Sequence, residues 1–249
     1  MAMQMAWKET WQSKVRRRFR KPFNKVFRSR HYFISRYIGA DFLLRPDGIG
    51  TLEMSAKIAE YPELTNFMRR CGELQPDIFI DIGANIGLYS CILLKNGCVQ
   101  RAVLFEPDRI NLIHLKANLL INGLLNKIEL HEVALGAAAG CHRLVPGAID
   151  GGFSKIAVDD LSGAGYDVQV ARLDDLVQLS GCKLAIKIDV EHYECDVLAG
   201  MPRILSQNRC IVQIEAFETR NEVISIMTAA GYDLAANFAP NFVFESLVP

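Results

Sequence analysis

The stretch IFIDIGANIGLYS, Ile78 to Ser90, decides how the rest of the chain is read. A short β-rich apolar run ends in an acid, turns through Gly83 and Gly87, and restarts as a helix with Leu88, Ile92 and Leu93 on its inner face. A strand, a tight loop and a helix in that order bring backbone N–H groups up to a ligand.

Outward from this unit the rhythm repeats. The pattern predicts strands over 102–105, 128–133, 184–188 and 211–215, and helices over 86–94, 110–121, 194–198 and 223–230, with two last β-like runs near Tyr232 and Phe242. Strands alternating with helices require crossover connections. The expected fold is therefore α/β, Rossmann-like, with a mostly parallel central sheet and helices on both faces. Upstream, a hairpin is expected over 37–53 around Pro46-Asp47-Gly48, then a helix over 63–70. Residues 136–165 break the rhythm with small residues and little periodicity, as binding loops or lids often do.

The chain has 249 residues, half of them hydrophobic, enough for one large core. No run approaches the roughly 18 apolar residues of a spanning helix, and the N-terminus lacks an apolar signal core. The seven cysteines are scattered, without zinc-type pairing, and read as reduced core residues of a cytoplasmic protein. Formal charge is zero, but Met1 to Arg36 carries eleven Lys or Arg against the single Glu9, a net of +10, which leaves −10 for the remainder. The expected organisation is a basic N-terminal helical extension over 1–36 followed by one domain over 37–249.

A glycine loop of this kind serves a nicotinamide dinucleotide or S-adenosylmethionine. Both need close backbone approach and an acid after the next strand for ribose hydroxyls, and Glu106 stands there, nineteen positions past Gly87. Asp81 separates the two. A carboxylate two residues before Gly83 would oppose a pyrophosphate, whereas it attracts the ammonium and sulfonium of S-adenosylmethionine. Gly-x-Asn-x-Gly also departs from the dinucleotide spacing Gly-x-Gly-x-x-Gly. Asp81 could equally cap the helix beginning near Ile86.

Together DIGANIGLYS, FEPD at Phe105 to Asp108, VALG at Val133 to Gly136, RLDDL at Arg172 to Leu176, KIDVEHYE at Lys187 to Glu194 and QIE at Gln213 to Glu215 resemble the FkbM-type methyltransferase family. The resemblance implies a class I methyltransferase fold, S-adenosylmethionine as donor, and methylation of a hydroxyl, often on a sugar or a glycosylated natural product. It also implies that Asp81, Gly83, Ala84, Asn85 and Gly87 cradle the methionine end of the donor. Glu106, with Pro107 beside it, would take the ribose, and Glu132, Val133 and Ala134 would flank the adenine. Family members commonly have Gly where this chain has His192, so the loop after Glu191 is expected to differ in shape.

Methyl transfer to oxygen needs positioning and a proton acceptor, placed outside the C-terminal ends of the central strands. KIDVEHYE puts Asp189, Glu191 and His192 at that edge, and Glu215 ends the next strand. Asp189 and Glu215 could act as base, orient the acceptor, or form half of a divalent metal site; no metal is required by the pattern. His192 has a suitable ordinary pKa but also reads as an exposed first-turn residue. Lys187, inside a strand, calls for an ion pair with Asp189 or Glu215.

The expected acceptor is a sugar-containing small molecule or a lipid-linked glycan. A nucleic-acid methyltransferase is the alternative, because the arm could neutralise phosphates, but the charge is confined to one end and no Asn/Asp-Pro-Pro-Tyr/Phe motif is present. A non-catalytic donor-binding module is a third reading. Within the arm, Trp7, Trp11, Val15 and Phe19 recur every four residues, an apolar stripe flanked by Lys and Arg that suits the surface of an anionic membrane on its inner face or packing on the domain.

Overall fold

The computed structural model describes residues 32–44, 62–146, 155–157 and 165–247. The arm's stripe and the Pro46-Asp47-Gly48 turn lie outside them. A hairpin of β1 (Phe33–Tyr37) and β2 (Ala40–Leu44) comes first, turning at Ile38 and Gly39 with positive φ, upstream of the turn expected from sequence. Phe33 to Arg36 thus belong to the hairpin. Then follow α1 (Pro62–Leu74), β3 (Ile78–Ile82), α2 (Leu88–Lys95), β4 (Ala102–Phe105), α3 (Arg109–Ile121) and β5 (Ile128–His131). After the small-residue segment come α4 (Leu173–Leu176), β10 (Lys183–Ile188), α5 (Glu194–Ala199), α6 (Pro202–Gln207), β11 (Arg209–Glu215), α7 (Arg220–Ala229), β12 (Tyr232–Phe238) and β13 (Asn241–Ser246).

The main sheet has seven strands in the order β12-β13-β11-β10-β3-β4-β5, parallel from β11 to β5, with β13 antiparallel to its neighbours. Its inner strands are apolar almost throughout because both faces are covered. Phe79, Leu104, Ala185 and Ile211 pack under the hairpin and α1, α2 and α3, while Ile80, Phe105, Ile186 and Val212 pack against α4 to α7. The chain leaves β3 toward β4 on one side and returns through β10 on the other. The open crevice above that reversal is where such sheets bind ligands.

Within residues 136–165, the described residues include two strands that their composition does not suggest. β7 (Gly140–Val145) and β8 (Lys155–Ala157) form a second sheet with β6 (Ala134–Leu135) and β9 (Tyr166–Ala171), in the order β6-β9-β7-β8. Leu144, Val168 and Val170 give it a small core of its own. Short strands with few apolar residues carry too weak a period to be read from sequence. Cys71, Cys91 and Cys210 are buried and all seven cysteines are free, but Cys141 is exposed on β7, contrary to its reading as a core residue.

Candidate active site

The loop between β3 and α2 is bent by three left-handed residues, Gly83 (φ 77), Asn85 (φ 51) and Gly87 (φ 82). Gly83 and Ala84 both donate their N–H to the Phe105 carbonyl at 3.0 Å, which clamps the loop over the end of β4. A Cβ on Gly83 would lie 1.9 Å from the Asp189 carbonyl oxygen, so only glycine lets β10 come this close. Gly87 is the residue from which α2 starts. The Asp81 carboxylate is buried below the loop and accepts a 2.5 Å hydrogen bond from Ser90 Oγ. Burial pushes its carboxyl up to about 6, against the pull of Ser90 and Lys187.

Glu106 follows β4 and is almost fully buried. Its Oε2 accepts from Asn85 N at 2.7 Å and its Oε1 from Asp108 N at 2.8 Å, with Asn111 Nδ2 at 3.4 Å. Desolvation still raises it to about 7. Asp108, which accepts from Ile110 N and Asn111 N, caps α3 and fixes this corner; Pro107 between them is half-buried. Glu106 N bonds His131 O, so Glu132, Val133 and Ala134 emerge at the same edge of the sheet. The Glu132 side chain itself is exposed and paired with Lys116.

Across the sheet, Asp81, Lys187 and Gln213 are register neighbours on β3, β10 and β11, and so face the same way. Two residues further along each strand come Gly83, Asp189 and Glu215, on the same face at the open edge. The Lys187 side chain is 3% exposed, and its Nζ lies 3.1 Å from Asp189 Oδ2, 3.8 Å from Glu215 Oε2 and 5.2 Å from the Tyr89 ring centre. Both ion pairs expected from sequence are therefore made. Yet Lys187 Nζ has no hydrogen bond of adequate geometry among the described residues, nor has the neighbouring Gln213 Oε1. A buried donor and a buried acceptor left open side by side mark a place for a polar ligand group or water.

Glu215 and Asp189 both lie beside Lys187 Nζ. Burial first, then the charge of Asp189, lift Glu215 to about 7, with Lys187 opposing. Glu191 is raised to about 7 as well, by burial and by Asp189. Thus Asp189, Glu191 and Glu215 come together, whereas His192 stands beside them with its side chain exposed. Glu191 and His192 both have positive φ, 51 and 74. The second value belongs to the position where the family commonly has Gly, so the histidine is held in a conformation that glycine adopts without strain. Among the described residues no group of three His, Cys, Asp or Glu is arranged to hold a metal ion.

Several supporting residues had no role in the sequence reading. Buried Glu194 accepts from His192 N at 2.8 Å and from Thr219 Oγ1 at 2.6 Å, tying the strained loop to the one after β11. Gln213 Nε2 donates to Tyr89 Oη at 2.7 Å and to Asn241 Oδ1 at 2.9 Å. Glu194, Tyr89 and Gln213 all lie inside the quoted motifs, so their positions, though not their partners, were in view. Asp174, in the first turn of α4, also caps α6 by accepting from Arg203 N and Ile204 N.

An open sheet of this order, with a glycine loop and a ribose-type acid at its switch point, defines a Rossmann-like methyltransferase. Residues 81–234 match the family described as Methyltransferase FkbM domain. The chain belongs to that family and is an S-adenosylmethionine-dependent methyltransferase. It is 25% identical over 242 residues, 79% of this chain and 90% of the other, to the 31-O-demethyl-FK506 methyltransferase FkbM of Streptomyces tacrolimicus. The crystal structure of methyltransferase FkbM from Methylobacillus flagellatus KT aligns with a TM-score of 0.49 at 23% identity, over 68% of this chain and 43% of that one. M. jannaschii TYW2, in complex with AdoMet, aligns at 0.44 and 13% identity over 87% of each chain. Among the described residues no helix is long and apolar enough to cross a membrane.

Proposed function

We propose that this chain methylates a hydroxyl oxygen, most plausibly on a sugar of a glycan, glycolipid or glycosylated natural product. The observation that carries this is Glu215, lifted to about 7 by burial and by the charge of Asp189, beside buried Lys187 and one loop away from the donor cradle. The features of the cradle fit S-adenosylmethionine. Gly83, Ala84, Asn85 and Gly87 leave room for close approach, and Glu106, whose Oε1 is met by two N–H donors and whose Oε2 by one, keeps a lone pair on Oε2 for a ribose hydroxyl. Asp81 would act through the loop, its negative field favouring the cationic end of the donor. When bound, the donor supplies an electrophilic methyl carbon on sulfur.

The chain's own contribution is to hold the hydroxyl in line with that carbon and to take its proton. As the new C–O bond forms and the S–C bond breaks, the proton passes to Glu215 or to Asp189 beside it. Three carboxyl groups at this edge would oppose a phosphate backbone, which argues against a nucleic-acid acceptor. The name of the Streptomyces tacrolimicus relative refers to an O-demethyl substrate, in keeping with oxygen as the methylated atom. Incubating cell extract with labelled donor and separating lipid, glycan and nucleic-acid fractions tests the reading. Label in base-stable methyl ethers of the glycan or lipid fraction is expected; label confined to nucleic acid would overturn it.

A further inference from the structure

The loops that follow β10 and β11 leave the sheet side by side, because those strands are parallel neighbours with Ile188 opposite Ile214. Each loop carries one open side chain just past the carboxylates. His192, next to Glu191, is exposed, and Phe217, two residues past Glu215, is 56% exposed, the most open aromatic among the described residues. Neither sits on a loose tip. Buried Glu194 holds both loops at once, accepting from His192 N at 2.8 Å and from Thr219 Oγ1 at 2.6 Å. Ala216 N, just before Phe217, donates to Pro240 O at 2.9 Å. Tyr193, just after His192, is buried with its ring edge-on to His142 of β7, the centroids 6.4 Å apart.

The backbone at His192 is strained as well. Glu191 and His192 are consecutive left-handed residues, φ 51 and 74, a conformation that glycine adopts freely and a side chain does not. Burial of the imidazole does not offset that cost, because the side chain is exposed. Strain kept at the edge of a site, beside Glu191, points to a ligand-facing role for the side chain.

We infer that His192 and Phe217 select the acceptor by gripping a saturated, hydroxylated ring between them, an assignment that rests on the acceptor class proposed above. The chemistry of the two side chains chooses that ring. The face of Phe217 takes the C–H face of a sugar, removing apolar area from water on both partners. The imidazole of His192, when neutral, offers one nitrogen that donates and one that accepts, which matches hydroxyls on the ring edge. A ring held on these two loops lies over Asp189 and Glu215, where a further hydroxyl meets the carboxylates. Because Glu194 and Pro240 pin the loops, both side chains stand in place before the acceptor arrives, which lowers the ordering cost of binding.

Half-saturation by acceptor, measured by dilution of the extract fraction that wild type labels best, tests the assignment. Phe217→Ala should raise the half-saturating amount about ten- to a hundredfold. His192→Gly should raise it about three- to tenfold. Donor binding in calorimetry should stay as in wild type for both, and His192→Gly should melt no lower than wild type, since glycine relieves the strained backbone. Phe217→Trp, which keeps a ring face, should retain the wild-type value, whereas Phe217→Leu should not; this pair carries the comparison if Phe217→Ala loses donor binding. Unchanged half-saturation in Phe217→Ala and His192→Gly, or equal values for Phe217→Leu and Phe217→Trp, would overturn the assignment and leave the glycan reading in place. Wild-type label confined to nucleic acid would overturn that reading, and the sugar ring with it.

Discussion

The two ends of the crevice hold their carboxylates in opposite ways. At the β3–β4 end, Asp81 and Glu106 are met by neutral donors, a serine hydroxyl and backbone N–H groups, each fixed by a loop with little freedom. At the β10–β11 end, Asp189, Glu191 and Glu215 are met by one another and by a single lysine. The first arrangement is a mould whose hydrogen bonds are already made. The second is charge held under strain, relieved by taking up one proton. The proposed function assigns donor binding to the first environment and proton transfer to the second, and the two lie on either side of one close contact, Gly83 against Asp189.

If the division is real, variants should split by end. The largest effect is expected from Asp189→Asn and Glu215→Gln, which preserve shape and remove charge: turnover should fall about a hundred- to ten-thousandfold, with donor affinity in calorimetry nearly unchanged. Next, Lys187→Met removes the cation shared by the acceptor end. Denaturant unfolding should show a loss of about 3 kcal/mol, the low end for breaking a buried pair, because the remaining carboxylates can rehydrate. Glu106→Gln should act in the reverse sense to Glu215→Gln, weakening donor binding about ten- to a hundredfold. An equal loss of affinity in both would dissolve the distinction.

The smallest effect concerns stability and pH. Asp81 is raised to about 6, and Glu106, Glu191 and Glu215 to about 7, all primarily by burial. Between their ordinary carboxylate values and these, the folded state binds more protons than the unfolded one, so stability falls as pH rises through that window and levels off above it. The melting temperature of ligand-free protein should therefore be higher near pH 5 than near pH 8 on this account. Bound donor should narrow the difference, since its positive charge favours ionised Asp81.

The two ends also differed in how well sequence revealed them. The loop after β3 is legible because its backbone needs glycines at fixed places, and Gly83 and Gly87 both have positive φ. The parallel core is legible for the same reason: apolar strands alternating with helices admit few arrangements. Asp189, Glu191 and Glu215 could be placed at the edge from strand ends alone, but their approach to Lys187 and to one another depends on register between β10 and β11, which no local pattern encodes. Glu194 and Gln213 were in plain sight, yet their partners Thr219, Tyr89 and Asn241 come from other elements. The small sheet containing β7 was missed because it depends on what packs against it.

The claim that the Asp189–Glu215 pair takes the hydroxyl proton is tested most directly by the pH dependence of methyl transfer at saturating donor, using the extract fraction that wild type labels best. Glu215, raised to about 7, accepts a proton only when ionised, so the rate should climb as pH rises through that value and then level off. In Glu215→Gln the limb should vanish together with most of the rate. A wild-type rate that is flat across neutral pH, or a Glu215→Gln variant that keeps both the rate and the limb, would contradict the account.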